Sequence, residues 1–197
     1  MKKIAVLVSG GGTNLQALID AQGKALTSGR IALVVANNAN AYALERAKNA
    51  GIATAVVLKK ECGSQAAFEE KIKQILGTYN VDLIVLAGFM SILSESFTSA
   101  YPKRILNVHP SLIPSFCGEG FYGLRVHEEA LKYGVKVTGA TVHFVNEIPD
   151  GGEIIFQKAV AIEEGDTPEI LQRRVMEQAE WKILPAAVEK VSKQLCG

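Results

Sequence analysis

Asn107-Val108-His109-Pro110-Ser111-Leu112-Ile113-Pro114 places an amide and an imidazole two positions apart, where an apolar pair, Ile105-Leu106, gives way to a proline. Residues i and i+2 of a strand face the same side. Pro110 withdraws a backbone donor and confines His109 to extended conformations. Both side chains then project from the carboxyl edge of a sheet, where open α/β folds place their ligands. An amide donor beside a group able to carry a proton suits the stabilisation of an oxyanion during acyl transfer. A polar strand end closed by a proline turn has the same residue pattern, so other residues must decide between the two.

Ser9-Gly10-Gly11-Gly12-Thr13-Asn14 follows an apolar run and precedes a helical pattern, so its backbone N–H groups can converge on an anion, with a phosphate as the expected guest. It lacks the glycine spacing of a dinucleotide fingerprint and the Gly-Lys-Ser/Thr ending of a Walker loop. Thr13 and Asn14 add side-chain donors at the same point, and a plain glycine turn is the competing reading. Gly88-Phe89-Met90-Ser91-Ile92-Leu93 offers apolar side chains and free backbone groups for a flat heterocycle, although apolar residues at a strand end mostly serve packing. Asp150-Gly151-Gly152 falls in a turn, where a carboxylate is ordinarily solvated. Folded back over Asn107 and His109, it would instead favour the imidazolium, orient a water and accept a proton. His143, in a predicted strand, and His127, on a predicted helix, read as structural or surface groups. With 3 histidines, none adjacent, and no Cys or carboxylate cluster around them, metal catalysis finds no support.

The elements that must position these residues alternate. Ile4 to Val8 reads as a buried strand, Asn14 to Ala21 as a helix and Ile31 to Ala36 as a second strand, which makes a βαβ unit. A helix from about Ala41 to Ala50, a strand near Thr54 to Leu58 and a helix over roughly Gln65 to Tyr79 follow. Asp82 to Ala87 is uninterruptedly apolar after its first residue and reads as a central parallel strand covered on both faces. A short helix near Ser94 to Tyr101 precedes the strand bearing Asn107 and His109. Val137 to Val145 alternates with period two, and with Ile154 to Ile162 it predicts antiparallel strands flanking the turn-rich segment Asn146 to Gly152. One long terminal helix is expected after Thr167 as cap and Pro168 at its first position. The predicted class is α/β, a Rossmann-like, doubly wound, mostly parallel sheet with antiparallel strands added in the C-terminal third.

A length of 197 residues with 48% hydrophobic and 21% charged residues fits one domain with a sizeable core, and neither disorder nor a membrane class. A net charge of +1 from scattered lysines and arginines carries no nucleic-acid footprint, so an anionic ligand must be met locally. Met1-Lys2-Lys3 and the short run after it are too brief for a signal peptide, and no stretch has the length needed to cross a bilayer. Cys62, Cys117 and Cys196 suit neither a disulfide framework nor zinc, which points to a reducing, cytoplasmic compartment.

In four blocks, in order, the chain resembles the phosphoribosylglycinamide formyltransferases: Ser9 to Gln16, Leu86 to Met90, Asn107 to Pro114, and Thr138-Gly139 through Asp150-Gly151. The likeness covers nearly the whole length. The Asn-x-His-Pro-Ser block is shared by several formyl-tetrahydrofolate enzymes, whereas the glycine loop favours a ribonucleotide acceptor. The resemblance implies transfer of the formyl group of 10-formyltetrahydrofolate to the amine of glycinamide ribonucleotide in de novo purine (IMP) synthesis, with no metal or prosthetic group. It implies that Asn107 and protonated His109 stabilise the tetrahedral oxyanion, and that Asp150 sustains the charge on His109 and positions a water. Gly11, Gly12, Thr13 and Asn14 would hold the phosphate and Glu180 the ribose hydroxyls. Met90, Ser91, Ile92 and Leu93, with Asn107 and the turn ending at Asp150, would enclose the pterin, and Gln65 stands near the folate's glutamyl tail. A single formyltransferase domain over 1–197 is implied, with about 1–100 as the phosphate half and about 101–197 as the catalytic and folate half. Partners would be small molecules, without nucleic acid or membrane, and both a monomer and a homodimer remain open.

The chain departs from the family pattern in four places. Ser91 and Gln65 stand where relatives often carry basic residues, Glu180-Trp181 replaces a usual Glu-His pair after an apparent one-residue insertion, and the loop Ser115 to Arg125 is longer than in many relatives. A formyltetrahydrofolate hydrolase would share the Asn-His-Asp set, but that group commonly has a second histidine at the position of Pro110 and an extra N-terminal domain. Formylation of methionyl-tRNA would call for a basic surface and a further C-terminal domain. A folate- or nucleotide-binding module that kept the fold and lost the reaction is the alternative from outside enzymology.

Overall fold

Ile4-Ala5-Val6-Leu7-Val8 and Leu83-Ile84-Val85-Leu86 carry no polar side chain, because the strands they form lie mid-sheet with both faces covered. The computed structural model describes residues 1–196. Its strands are β1 (Lys2–Val8), β2 (Gly29–Ala36), β3 (Ala53–Val56), β4 (Leu83–Leu86), β5 (Ile105–His109), β6 (Val137–Phe144) and β7 (Ile154–Ala161). They form one seven-stranded sheet in the order β3-β2-β1-β4-β5-β6-β7. β1 to β5 pair in parallel, while β6 and β7 pair antiparallel, as the alternation over Val137 to Val145 predicts.

The helices are α1 (Thr13–Ala21), α2 (Tyr42–Asn49), α3 (Lys59–Cys62), α4 (Gln65–Thr78), α5 (Glu95–Thr98), α6 (Leu124–Tyr133), α7 (Pro168–Val175) and α8 (Trp181–Cys196). Ile4, Val6 and Val8 pack with Leu15 and Leu18 of α1 and with Ile183 to Val191 of α8, whereas Ala5 and Leu7 pack with Phe68, Ile72 and Leu76 of α4. The strand order reverses between β1 and β4, so the loops leaving these strands open side by side, at the crevice where such sheets bind ligands.

The terminal helix differs from the uninterrupted one expected. Thr167 does cap it, with Oγ1 accepting from the Ile170 amide, and Pro168 opens it, but a π-helical turn over Met176–Glu180 separates α7 from α8. A π-turn is how a helix absorbs one extra residue without losing its register on either side. Here it accommodates the apparent insertion, keeping Leu171 and Val175 before it and Ile183 and Leu184 after it in the same core. The one-turn α3 has no hydrophobic periodicity to announce it.

α8 also fastens the chain crossing to β2. Glu189 accepts hydrogen bonds from the Thr27 and Ser28 amides at 2.9 and 2.8 Å and from both hydroxyls at 2.9 Å, and Lys193 Nζ lies 3.2 Å from its Oε1. Burial opposes its ionisation, but these hydrogen bonds prevail and hold the carboxyl down at about 2. That value lies below the roughly 4.3 of an unfolded glutamate, so the stabilisation is complete above that pH and is lost as pH falls through the folded value. Glu189→Gln is therefore expected to cost about 1–3 kcal/mol at neutral pH, the penalty for disrupting hydrogen bonds to a charged group. It should also flatten the decline in stability between pH of roughly 4.5 and 2, as read from urea unfolding at stepped pH; an unchanged acid limb would show that Glu189 does not set it.

Candidate active site

The β5–β6 register pairs Asn107 with His143 and His109 with Thr141. Directly opposed residues of an antiparallel pair share a face, so all four side chains lie on one side at this end of the sheet. Thr141 fixes the chain beyond His109, its Oγ1 donating to the Ser111 carbonyl at 2.7 Å and accepting from the Ile113 amide at 3.1 Å. The turn after β6 folds back over them. Gly152 makes this possible, since a Cβ there would lie 1.7 Å from the Phe144 carbonyl oxygen.

The fold-back brings Asp150 among these residues. Its Oδ2 is 3.5 Å from His109 Nδ1 and its Oδ1 is 3.5 Å from His143 Nε2, with the Asp150 side chain 12% exposed. Asn107 Nδ2 lies 3.2 Å from His143 Nε2 and 3.4 Å from Asp150 Oδ1. His143 Nδ1 faces the Phe144 carbonyl at 2.8 Å and so carries the hydrogen in the neutral ring, which makes Nε2 the acceptor for Asn107. One Asn107 hydrogen is thereby anchored. The other points along a long contact and is open to a stronger acceptor. Of the two expectations for His143, structural or surface, burial excludes the second: it is 1% exposed and orients the Asn107 amide. Only the strand register reveals this.

The long loop after Ser115 supplies two further groups. Its Phe116 carbonyl lies 2.8 Å from His109 Nε2, and its Gly118 amide donates to Asp150 Oδ2 at 2.9 Å. Phe116 and Asp150 both have positive φ, 50° and 56°, a conformation held by the surrounding contacts at the site. Burial holds His109 below the ordinary imidazole value, against the opposing pull of the Asp150 carboxylate and the Phe116 carbonyl, with His143 adding to the depression. At Asp150 burial favours the neutral acid, but the neighbouring His143 and His109 rings and the Gly118 amide together draw its value below the usual aspartate range. His127 is fully buried, with neither ring nitrogen partnered, and burial pushes it down to about 4, so it is neutral.

Asn107, His109 and Asp150 line a cavity of about 630 Å³ together with the segment after β4 and the loop at Gly118–Gly123. This volume is that of a small-molecule site. Met90 and Ile92, 54% and 62% exposed, stand at its walls, and Leu93 is buried. Ser91 and Gln65 face inward. Ser91 Oγ accepts from Asn37 Nδ2 at 2.9 Å, and Gln65 Nε2 donates to Glu69 Oε1 at 2.6 Å and to the Ile92 carbonyl at 3.1 Å. Glu69 in turn accepts from the Ser94 amide and hydroxyl. Both side chains therefore brace the cavity wall, and the Met90 amide, bonded to Ser9 Oγ at 2.8 Å, ties that wall to the glycine loop.

At the glycine loop, Gly12 takes φ 72° and caps α1 without a side chain, and no protein acceptor meets the amides of Gly11, Gly12, Thr13 or Asn14 among the described residues. Asn14 Nδ2 donates to Glu180 Oε2 at 2.6 Å, and Thr13 Oγ1 lies 3.6 Å from Met176 Sδ, so the π-turn abuts the loop. Burial pushes the Glu180 carboxyl up to about 7, partly offset by the Asn14 bond. Among the described residues no cluster of His, Cys, Asp and Glu is arranged to hold a metal ion, and no helix is long and apolar enough to cross a membrane.

Comparison with known proteins places this geometry. The formyl transferase family profile matches residues 2–188. A phosphoribosylglycinamide formyltransferase of Haemophilus influenzae is 44% identical over 96% of this chain and 86% of its own length. The trifunctional purine biosynthetic protein adenosine-3 of Gallus gallus is 47% identical over 96% of this chain, which spans only 18% of that protein. The crystal structure of glycinamide ribonucleotide transformylase 1 from Symbiobacterium toebii superposes with a TM-score of 0.92 at 43% identity, covering 98% of this chain and 89% of the other.

The geometry around His109 makes an electrostatic prediction. Asp150→Asn removes the charge that favours the imidazolium, so the His109 value should fall further below the ordinary one of about 6.5. An NMR titration of the imidazole C–H resonances reads this directly, and an unmoved or raised value would show that the two groups are not coupled.

Proposed function

The chain belongs to the formyl transferase family, and from that premise we propose that it transfers the formyl group of 10-formyltetrahydrofolate to the amine of 5'-phosphoribosylglycinamide, giving formylglycinamide ribonucleotide and tetrahydrofolate in de novo purine synthesis. The observation that carries this reading is the convergence of Asn107, His109 and Asp150 on the wall of one cavity, tied through Met90 and Ser9 to a cradle of unspent amides. Both substrates are small molecules. We take the chain as one domain, with an acceptor half over about residues 1–100 and a catalytic and folate half over about 101–197, joined at the Asn14–Glu180 contact. The three free cysteines support a reducing, cytoplasmic setting.

The acceptor amine attacks the formyl carbon, the carbonyl oxygen takes up negative charge, and the bond to the folate nitrogen then breaks as that nitrogen gains a proton. Asn107 Nδ2 and the buried His109 are the donors for the oxygen, in surroundings of lower dielectric than bulk water where each hydrogen bond counts for more. The Phe116 carbonyl occupies His109 Nε2 in the free protein, so the formyl oxygen has to displace it, and the 115–123 loop is the segment that gives way. Asp150, ionised and beside His109, supports the imidazolium and accepts the amine's proton through water. The unspent amides of the glycine loop hold the phosphate. Glu180, held at Oε2 by Asn14 beside the glycine loop, serves the ribose hydroxyls. Met90, Ile92 and Leu93 wall the pterin.

The decisive experiment is whether the purified protein consumes 10-formyltetrahydrofolate only when glycinamide ribonucleotide is present; consumption without acceptor would identify a hydrolase. Asn107→Ala, His109→Ala and Asp150→Asn should each lower kcat by on the order of 100-fold or more with little change in KM. The Asp150/His109 double variant should lose far less than the product of the single losses. Circular dichroism confirms folding, and near-normal turnover in Asp150→Asn would remove it from the mechanism.

Ser91 and Gln65 are spent on Asn37, Glu69 and the Ile92 carbonyl, so neither offers the folate's glutamyl tail an ion pair. Polyglutamylated cosubstrate should bind within about threefold of the monoglutamate, a difference measurable as the ratio of the two KM values. A strong polyglutamate preference would place an unidentified cation at the mouth.

A further inference from the structure

The amides of the glycine loop can face one point only if the attached carbonyls are turned away, because each peptide unit is planar and trans and its C=O and N–H point in opposite directions. Three donors outside those peptide units do the turning. The Ala43 amide donates to the Gly10 carbonyl at 3.0 Å, which directs the Gly11 N–H, and the Gln16 amide donates to the Gly12 carbonyl at 2.9 Å, which directs the Thr13 N–H along the α1 axis. The third is Arg46 of α2, whose Nε donates to the Gly11 carbonyl at 2.8 Å and so directs the Gly12 N–H. Arg46 is the one of the three that acts through its side chain.

Its grip is defined at several points. Nη1 donates to Gln16 Oε1 at 3.1 Å, and the guanidinium carbon lies 5.0 Å from the centroid of the Tyr42 ring. The loop has no slack against α2: a Cβ on Gly12 would come within 2.6 Å of the Ala43 Cβ and 3.4 Å of the Arg46 Cδ. Among the described residues no carboxylate forms an ion pair with Arg46, so its charge adds to that of the helix start, which already favours an anion.

We propose that Arg46 is a positioning residue for phosphate recognition: by holding the Gly11 carbonyl outward it keeps the Gly12 amide aimed at the phosphate monoester of the acceptor. The assignment rests on the phosphorylated acceptor inferred above. Arg46→Met removes donor and charge, whereas Arg46→Lys keeps the charge but not the two-point grip. In Arg46→Met the KM for the phosphorylated acceptor should rise about tenfold, as for loss of one charge-assisted contact, with kcat and the folate KM changed by less than about twofold. Arg46→Lys should recover part of the loss. The dephosphorylated acceptor, which makes no use of the cradle, should be turned over equally by wild type and Arg46→Met.

Calorimetric titration with ribose 5-phosphate reads the same effect without the reaction and should show weaker binding in Arg46→Met. Unchanged ribose 5-phosphate binding in that variant, no binding in the wild type, or a parallel rise in acceptor and folate KM would overturn the assignment. A wild type that binds ribose 5-phosphate in an Arg46-dependent way, yet transfers no formyl group, would sink the reading of the activity while supporting the role of Arg46.

Discussion

Asp150 holds an ionised carboxylate with its side chain 12% exposed, and such a group is tolerated only where hydrogen bonds and opposite charge replace the lost water. Its replacements come from His109 and Asn107 on β5, the latter held by His143 of β6, and from the Gly118 amide in the long loop. Each must be in register for the others to matter. The close approach at Gly152 and the positive φ of Asp150 are the local cost of bringing the carboxylate there, and the antiparallel β6 is what places His143 opposite Asn107. The added antiparallel strand is thus a condition of the site as well as an extension of the sheet.

The parallel half of the sheet does a different job. β1 and β4 are neighbours at the point where strand order reverses, so the glycine loop and the cavity wall leave the sheet side by side and are joined by the Ser9–Met90 bond, while Asn37, just after β2, holds Ser91 of the same wall. Ser91 is bonded to Asn37 and stiffens the wall, and Gln65 does the same from α4 through Glu69 and the Ile92 carbonyl.

The features legible in the sequence are those set by local pattern. The apolar runs of β1 and β4, the i, i+2 relation of Asn107 and His109, the Thr167-Pro168 start and the glycine loop are all read from neighbours in the chain, and the structure has each of them. The features that escaped depend on contacts between distant segments. His143 becomes a partner of Asn107 through strand register, which the alternation of β6 alone leaves undetermined. The Phe116 carbonyl and the Gly118 amide are backbone groups, and no side-chain type marks them in advance. Arg46 reads as one more charge on a solvated helix until the path of the loop past it is known. The apparent insertion before Glu180 is read from the sequence, but the π-turn found there follows from the core contacts required on both sides.

His109 is held between two opposing demands. Both ring nitrogens face acceptors, the Phe116 carbonyl and the Asp150 carboxylate, an arrangement that only the doubly protonated ring satisfies in full. Burial nevertheless holds the ring below its ordinary value, so the free protein does not keep a full positive charge there. A negative charge growing on a nearby oxygen acts on the ring as Asp150 does and favours the imidazolium as the reaction proceeds. A ring fully charged at rest would be committed to Asp150 and would gain little from the oxyanion, whereas a ring without Asp150 would have too little tendency to take a proton. In the proposed mechanism, holding the imidazole near this balance would make its interaction stronger in the transition state than in the ground state, the condition under which binding energy accelerates chemistry. The requirement extends outward from the ring. Asp150 must stay ionised for the balance to exist, and the His143 ring and the Gly118 amide beside it are part of the same electrostatic device, although neither lies beside the reacting carbon in the mechanism drawn above.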